Sequence, residues 1–115
     1  MRYQLVLYAN ARQDLLSLRV YLMENFDTTT QTRVINEILN TIEKLRDYPN
    51  MGIAVDRLVS ISIYLEGYYV LKTAKNIILY DMDKSRHEID ILRVFSNRQN
   101  FTGEIQRYLE FLEPK

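Results

Sequence analysis

The spacing of hydrophobic and polar positions changes along this chain from the period of a strand to that of a helix and back. Apolar side chains at every second position from Tyr3 to Leu7 predict a strand over residues 2–8. Apolar residues then recur at helical spacing in two stretches, which predict a helix ending near Asn25 and a second helix over residues 30–47. Few residues separate these helices, so we expect an antiparallel hairpin whose apolar faces lie against a sheet.

Polar residues at the start of each predicted helix are candidate caps. Asn10 can cap the first helix, with Gln13 three residues later as in a capping box. The run from Asp27 to Thr30 has the composition of a turn followed by a cap, and Pro49 closes the second helix. These signals bound the hairpin to residues 10–47.

The second half of the chain has the pattern of strands. Runs rich in β-branched and aromatic residues predict three strands over residues 67–72, 77–80 and 88–95. Their connections are short enough for hairpins, so the three strands should be consecutive and antiparallel. Helical spacing predicts a short last helix over residues 102–112, whereas residues 50–66 fit either a short strand or a packed irregular segment.

These elements predict one α+β domain over residues 1–115, since no repeat, linker or low-complexity stretch divides the chain. Its core should form where the apolar faces of the first strand, the helical hairpin and the later strands meet. We place in this core Leu5, Leu7, Leu15, Leu18, Leu22, Ile38, Ile42, Leu45, Ile78 and Ile91.

Charge and composition exclude several kinds of function. Fifteen basic and fifteen acidic residues give a net charge of zero, so the charge of the whole molecule supplies no long-range attraction to nucleic acid or to an anionic membrane. The chain has no cysteine and a single histidine, His87, which argues against disulfides, thiol nucleophiles and His- or Cys-based metal sites. No apolar run is long enough for a membrane span or a signal peptide, so we expect a soluble cytoplasmic protein without a metal or a cofactor.

Charged side chains in and after the last two strands are the candidate chemistry. Arg93 stands in an apolar strand, so it must face a carboxylate, the surface or a partner. Arg98 follows that strand in a polar turn, where it is either solvated or functional. Four carboxylates could suggest a cation site, but we expect strand alternation to spread them over different faces as solvated turn residues: Asp81, Asp83, Glu88 and Asp90. The common nucleotide-binding, hydrolase and zinc-protease motifs are absent.

The order of the predicted elements and a few motifs resemble the RelE/ParE toxin superfamily over nearly the whole chain. The motifs are Ala11-Arg-Gln-Asp14-Leu, Pro49-Asn-Met-Gly52, Ile-Leu-Tyr80-Asp and Ile-Leu-Arg93-Val-Phe-Ser-Asn-Arg98. The resemblance implies a small twisted antiparallel sheet of about four strands, with the N-terminal two-helix hairpin packed on it and a short C-terminal helix. It also implies the toxin of a bacterial type II toxin–antitoxin pair, which a small cognate antitoxin encoded beside it neutralises by wrapping around it.

Two target classes share this fold, ribosome-dependent mRNA cleavage in the RelE branch and inhibition of DNA gyrase in the ParE branch. RelE-like cleavage uses basic residues on the two middle strands and after the last strand, with a tyrosine or similar group beyond. The corresponding middle-strand positions here are not basic, and Glu104 lies near the place of the tyrosine; these positions are Tyr68, Val70 and Ile77. An RNase would therefore depend on three candidate catalytic residues, Lys72, Lys75 and Arg98.

The incomplete RNase set and the zero net charge favour the ParE-like branch, which needs only a protein-binding surface. We expect that surface to contact DNA gyrase through Tyr80, Arg93, Asn97 and Arg98. The alternatives are a RelE-like endoribonuclease acting on ribosome-bound mRNA, and an inactive member that binds only the antitoxin. We expect the antitoxin to bind across the sheet edge and the groove beside the helical hairpin, by adding a strand or docking an amphipathic helix.

Overall fold

The computed structural model describes residues 2–55, 67–96 and 101–110. Its elements are β1 (Gln4–Leu7), α1 (Ala9–Asn25), α2 (Thr28–Lys44), β2 (Ile53–Ala54), β3 (Tyr68–Lys72), β4 (Asn76–Asp83), β5 (Glu88–Ser96) and α3 (Phe101–Glu110). Each predicted helix and strand is present, and the predicted ends differ from the observed ones by a few residues. None of the described helices is long and apolar enough to cross a lipid bilayer.

The strands form one sheet of five, in the order β1-β5-β4-β3-β2. The predicted meander of β3, β4 and β5 is antiparallel and the α+β fold is confirmed. The sheet differs from the expected one in two details. It has a fifth strand, the two-residue β2, and β1 runs parallel to β5, with Leu7 beside Ile91. The helical hairpin carries the chain from β1 at one edge of the sheet to β2 at the other, and the antiparallel strands β2 to β5 then return it, so that β5 lies beside β1 and runs in the same direction.

The two long helices begin differently from each other. The prediction that Asn10 caps α1 is wrong, because the helix begins at Ala9 and its cap residue, Tyr8, makes no side-chain capping bond. Asp27 does cap α2, since its Oδ1 accepts a hydrogen bond from the Thr30 N–H at 2.8 Å. This bond starts α2 at Thr28, two residues earlier than predicted.

Apolar side chains pack on both faces of the sheet. On the face covered by the hairpin, nine of the ten predicted core residues pack together, five of them buried and four partly buried against these: Ile38, Ile42, Leu45, Ile78 and Ile91, then Leu5, Leu7, Leu15 and Leu18. The tenth, Leu22, is also buried but is not part of this cluster. The opposite face carries a second core that the sequence analysis did not predict, composed of Val55, Tyr68, Val70, Ile77, Leu79, Leu92, Phe95 and Ile105. Ile105 belongs to α3, so the short last helix covers this second face.

Candidate functional site

Arg93 forms a two-pronged ion pair with Asp14 of α1. Its Nε and Nη2 donate hydrogen bonds of 2.7 and 2.9 Å to the two carboxylate oxygens. The guanidinium also lies over the rings of Phe95 and Tyr108, with its Cζ 4.6 and 5.5 Å from their centroids. Hydrogen bonding to Asp14 raises the pKa of Arg93, so the side chain stays charged. Of the three environments expected for Arg93, the structure shows the carboxylate.

Asp14 also closes an open edge of the sheet. β1 ends at Leu7, which lies beside Ile91, so the remainder of β5 has no neighbouring strand on that side among the described residues. α1 passes this edge, and Asp14 Oδ2 accepts a hydrogen bond of 2.8 Å from the Val94 N–H. The Asp14-Arg93 pair therefore ties α1 to β5 and fixes the end of that strand.

Tyr80 is fully buried, although it was expected on a target-binding surface. Its hydroxyl donates to the Pro49 carbonyl at 2.9 Å and accepts from the Gly52 N–H at 3.0 Å. Its ring stacks on that of Tyr69, and burial raises the pKa of Tyr80 to about 12. Tyr80 thus cannot touch a partner in this conformation; it holds the segment between α2 and β2 against the sheet. The sequence signal for its burial is alternation along β4, which places Tyr80 on the same face as the predicted core residue Ile78.

Gly52 completes this contact because its backbone approaches the sheet very closely. A Cβ at this position would lie 2.6 Å from the Tyr80 hydroxyl oxygen and 2.7 Å from the Val70 carbonyl oxygen. Neither distance is compatible with a side chain. The Pro49-Gly52 and Tyr80 motifs of the sequence are therefore two halves of one structural contact.

The remaining predicted site residues lie at one end of the sheet or outside the described residues. Lys72 ends β3 and Lys75 lies in the turn before β4, and both are exposed. Asn97 and Arg98 follow β5 and lie outside the described residues. The strand positions that an RNase would need to be basic, Tyr68, Val70 and Ile77, are 7%, 1% and 1% exposed and belong to the second core.

The four carboxylates of β4 and β5 share one face of the sheet, so the prediction that alternation separates them is wrong. The register pairs Asp81 with Asp90 and Asp83 with Glu88, and directly opposed residues project to the same side. Burial, together with hydrogen bonds to Glu88 and Asp81 and their charges, raises the pKa of Asp90 to about 7. In the part of the chain that the structure describes, no set of three or more ligating side chains could hold a metal ion.

A groove of about 460 Å³ lies between α1, the start of α2 and the ends of β4 and β5; we call it the hairpin groove. The ion pair of Asp14 and Arg93 lies on its wall, and Arg33 and Lys75 are exposed among its lining. Its apolar lining consists of Leu18, Tyr21, Leu22, Phe26, Val34 and Val94. Sequence analysis placed a groove beside the hairpin but not these residues. In the sequence, the signal for them was the pair of aromatic residues Tyr21 and Phe26 near the end of the first helix.

Solved structures of similar fold come from toxin–antitoxin systems. The RelBE2 toxin–antitoxin complex of Mycobacterium tuberculosis gives a TM-score of 0.60 at 18% identity, over 84% of this chain and 100% of the other. The chromosomal ParDE system of P. aeruginosa gives a TM-score of 0.65 at 15% identity, over 83% of this chain and 96% of the other. The YoeB/ParE toxin of Agrobacterium tumefaciens gives a TM-score of 0.55 at 14% identity, over 82% of this chain and 98% of the other. At these identities the likeness establishes the RelE/ParE fold.

Sequence comparison identifies the family to which the chain belongs within that fold. No curated protein matches the chain. Residues 5–101, however, match the family described as the ParE toxin of the type II toxin–antitoxin system parDE. Fold and sequence together define the class, a type II toxin of the RelE/ParE superfamily. Within it, the chain belongs to the ParE toxin family.

Proposed function

We propose that this toxin acts by binding DNA gyrase, that it does so in the cytoplasm, and that a cognate antitoxin neutralises it. The match to the ParE toxin family over residues 5–101 supports the gyrase branch. Similarity to solved toxin–antitoxin complexes supports an antitoxin partner. The proposal requires a protein-binding surface and no catalytic group on the chain itself.

The observation that carries the proposal is the burial of the strand positions where an RNase would need cations. Tyr68, Val70 and Ile77 pack in the second core, so none of them can approach a scissile phosphate. Arg93 is held by Asp14, and its raised pKa makes it unsuitable as a proton donor. The strand framework therefore favours a scaffold for protein contacts over a set of acid–base groups.

We assign the contact with gyrase to Arg98 and Asn97, and give Arg93 a positioning role. The ion pair of Arg93 with Asp14 fixes β5 as far as its end at Ser96, and Asn97 follows directly. Arginine is frequent among interface hot spots, whose truncation costs about 2 kcal/mol or more. Tyr80 supports this framework from inside the fold and is left out of the contact surface.

The test adds the purified protein to a gyrase supercoiling assay and, in parallel, to ribosomes translating a defined mRNA. We expect supercoiling to be inhibited and the mRNA to stay intact. Arg98→Ala should weaken inhibition about thirty-fold, the equivalent of about 2 kcal/mol. Arg86→Ala is the matched control, since Arg86 is an exposed arginine in the turn between β4 and β5, and it should inhibit like the unaltered protein.

Two outcomes would contradict the proposal. Cleavage of the mRNA with gyrase unaffected would make the protein a RelE-like RNase, with charge stabilisation assigned to Lys72, Lys75 and Arg98. Inertness in both assays with antitoxin binding retained would make it an inactive, antitoxin-binding member of the family.

A further inference from the structure

We propose that the outward face of α1 binds a second copy of this chain, with the two α1 helices packed antiparallel about a two-fold axis. This face, which we call the α1 stripe, consists of Leu16, Val20 and Met23. None of the three residues lines the hairpin groove, so the dimer would leave that groove open. The inference goes beyond the proposed function and does not depend on the target.

The α1 stripe exposes three large apolar side chains on successive turns of the helix. Leu16, Val20 and Met23 are 57%, 53% and 63% exposed, and their positions at i, i+4 and i+7 place them on one face. Of the 17 residues of α1, only Ala11 and Leu22 are buried. Helix α1 is thus apolar both on the side of the sheet and on the side of the solvent.

The outward face of α2 differs from that of α1. Its exposed positions are polar with the single exception of Leu39, as is usual for a helix on the surface of a globular protein. The apolar outward face therefore belongs to one helix of the hairpin and not to both. Exposed apolar patches rimmed by polar residues are typical of protein–protein interaction sites.

The charges at the two ends of α1 favour another copy of the same helix as the partner. A helix is stabilised by acidic side chains in its first turn and basic ones in its last turn, and α1 has neither. Instead, Arg12 lies in its first turn and Glu24 in its last, and both side chains are exposed. In an antiparallel pair the first turn of one helix lies beside the last turn of the other. A charge distribution that is unfavourable in a single helix thus becomes attractive between two copies.

The spacing of the stripe residues determines the register of the pair. A two-fold axis makes each contact occur twice, with the roles of the two copies exchanged. When Leu16 of one copy faces Met23 of the other, Val20 lies next to the axis and contacts its own counterpart. All three apolar side chains are then covered by the second copy.

This register also pairs opposite charges. Arg12 lies level with Asp27 of the second copy and within one turn of its Glu24. A parallel pair would instead place Arg12 beside Arg12 and Glu24 beside Glu24, where like charges repel. Arg19 lies close to its own counterpart in either arrangement and does not decide between them. The charges therefore select the antiparallel pair.

The dimer should be weak, because a contact between two helices of this length is small. At the rise of an α-helix, the 17 residues of α1 extend over roughly 25 Å. Two such helices bury less than the about 1,200 Å² at which standard interfaces begin, and interfaces below that size belong to weak, transient complexes. We therefore expect self-association at micromolar concentrations of the protein.

The first experiment measures the oligomeric state of the purified protein by sedimentation velocity over about 1–200 µM, the range expected for a small interface. We expect a dimer whose population rises with concentration. Val20→Glu brings two carboxylates together at the two-fold axis and should raise the Kd of the dimer at least about thirtyfold. Leu39→Glu is the matched control, because it makes the same change at an apolar residue of α2 that is 41% exposed. It should change the Kd less than about threefold.

The absence of cysteine from the chain allows a direct test of the orientation. Under mild oxidation Val20→Cys should form a disulfide-linked dimer, because the two copies of this position meet at the axis. Leu16→Cys and Met23→Cys should each link poorly alone and efficiently when the two variants are mixed. Leu39→Cys, the control, should stay unlinked. Self-linking of Leu16→Cys and Met23→Cys as efficient as that of Val20→Cys would show a parallel pair and refute the proposed arrangement.

Exchange of the end charges tests the contact between Arg12 and the last turn of the second copy. Arg12→Glu and Glu24→Arg should each raise the Kd about fivefold, and the two changes combined in one chain should restore it. Arg12 Nη1 also donates a hydrogen bond of 3.0 Å to the Leu7 carbonyl within its own chain. That bond stays lost in the combined variant, so the recovery reports the contact between copies. A combined variant as weak as the single ones would contradict the charge pairing.

Two kinds of result would overturn the assignment as a whole. The first is a monomer at every concentration, or equal weakening by Val20→Glu and Leu39→Glu. The second is a monomeric chain in which Val20→Glu, but not the control, abolishes gyrase inhibition or antitoxin binding, because that partner would then occupy the stripe. Absence of gyrase inhibition with the dimer intact would refute the proposed target alone. Circular dichroism identifies any variant that does not fold, and disulfide linking decides the question if Val20→Glu is such a variant.

Discussion

Removal of the Asp14 carboxylate should destabilise this fold more than any other single charge deletion on α1. Asp14→Ala takes away the acceptor of three hydrogen bonds, two from the Arg93 guanidinium and one from the Val94 N–H. Arg93 then remains beside Phe95 and Tyr108 without its counter-charge. An amide on the open edge of β5 loses its partner in the same step.

The size of the effect follows from the exposure of the pair. Breaking a fully buried ion pair costs about 3–5 kcal/mol, whereas an exposed pair contributes about 1 kcal/mol or less. The side chains of Arg93 and Asp14 are 25% and 15% exposed, so the pair lies between these limits and nearer the buried one. We expect Asp14→Ala to lower the free energy of unfolding by about 2–3 kcal/mol. Asp14→Asn keeps an acceptor for Val94 and should cost about half as much.

The assay is urea denaturation of a double-mutant cycle formed by Asp14→Ala, Arg93→Met and the combined variant. We expect a coupling free energy of about 1–2 kcal/mol, because Arg93 no longer needs a counter-charge once it is replaced. Asp47→Ala is the matched control, since Asp47 also binds an arginine through both carboxylate oxygens, Arg2, but with side chains 47% and 57% exposed. It should cost less than about 0.5 kcal/mol. A cost for Asp14→Ala as small as that of the control would refute the structural role assigned to the pair.

Three further outcomes follow from the buried contacts. Tyr80→Phe leaves the Gly52 N–H and the Pro49 carbonyl without their partner, and urea denaturation should show a loss of about 1–3 kcal/mol. Gly52→Ala places a methyl group 2.6 Å from the Tyr80 hydroxyl, so it should lower the free energy of unfolding by a comparable amount and with it the midpoint temperature of thermal unfolding; an unchanged midpoint would contradict the close approach. The pKa of Asp90 is raised to about 7 in the folded protein from 3.8, so its contribution to stability is fully present below about pH 4 and is lost as the pH rises to about 7. Asp90→Asn should flatten this decline between about pH 4 and 7, and an identical decline in the variant would exclude Asp90 as its source.

The helical hairpin and the last three strands were predictable because each has a regular period and ends at a turn. The run from Asp27 to Thr30, predicted to hold a turn and a cap, does supply the cap of α2 through Asp27, and the three strands of the meander pair in sequence order. The direction of β1 relative to its neighbour could not be predicted from its residues, since alternation determines which face of a strand is buried but not which strand it pairs with or whether the pair is parallel. The second core was missed for a related reason. Buried strands such as β4, apolar on both faces, give a continuous apolar run from which two separate cores cannot be distinguished.

The carboxylates of β4 and β5 show that the pairing register of two strands determines which side chains lie close together. Alternation along one strand places Asp81 and Asp83 together, and Glu88 and Asp90 together. Only the pairing of the two strands brings all four to one face. Sequence spacing contained the first fact, and the hairpin register supplied the second.

The residues that carry the family resemblance fall mainly on the framework, and this bears on where target choice resides. Tyr80 and Gly52 lock the segment after α2, while Asp14 and Arg93 lock the end of β5. A framework of this kind can be shared by toxins with different targets, because it fixes β5 as far as Ser96 without specifying the chemistry of the residues that follow in the sequence. Residues on the scaffold should then alter stability when replaced, and residues such as Arg98 should alter activity at constant stability. The loss of stability and the loss of activity, both measured for Asp14→Ala and for Arg98→Ala, therefore test directly whether scaffold residues and target-contact residues are distinct.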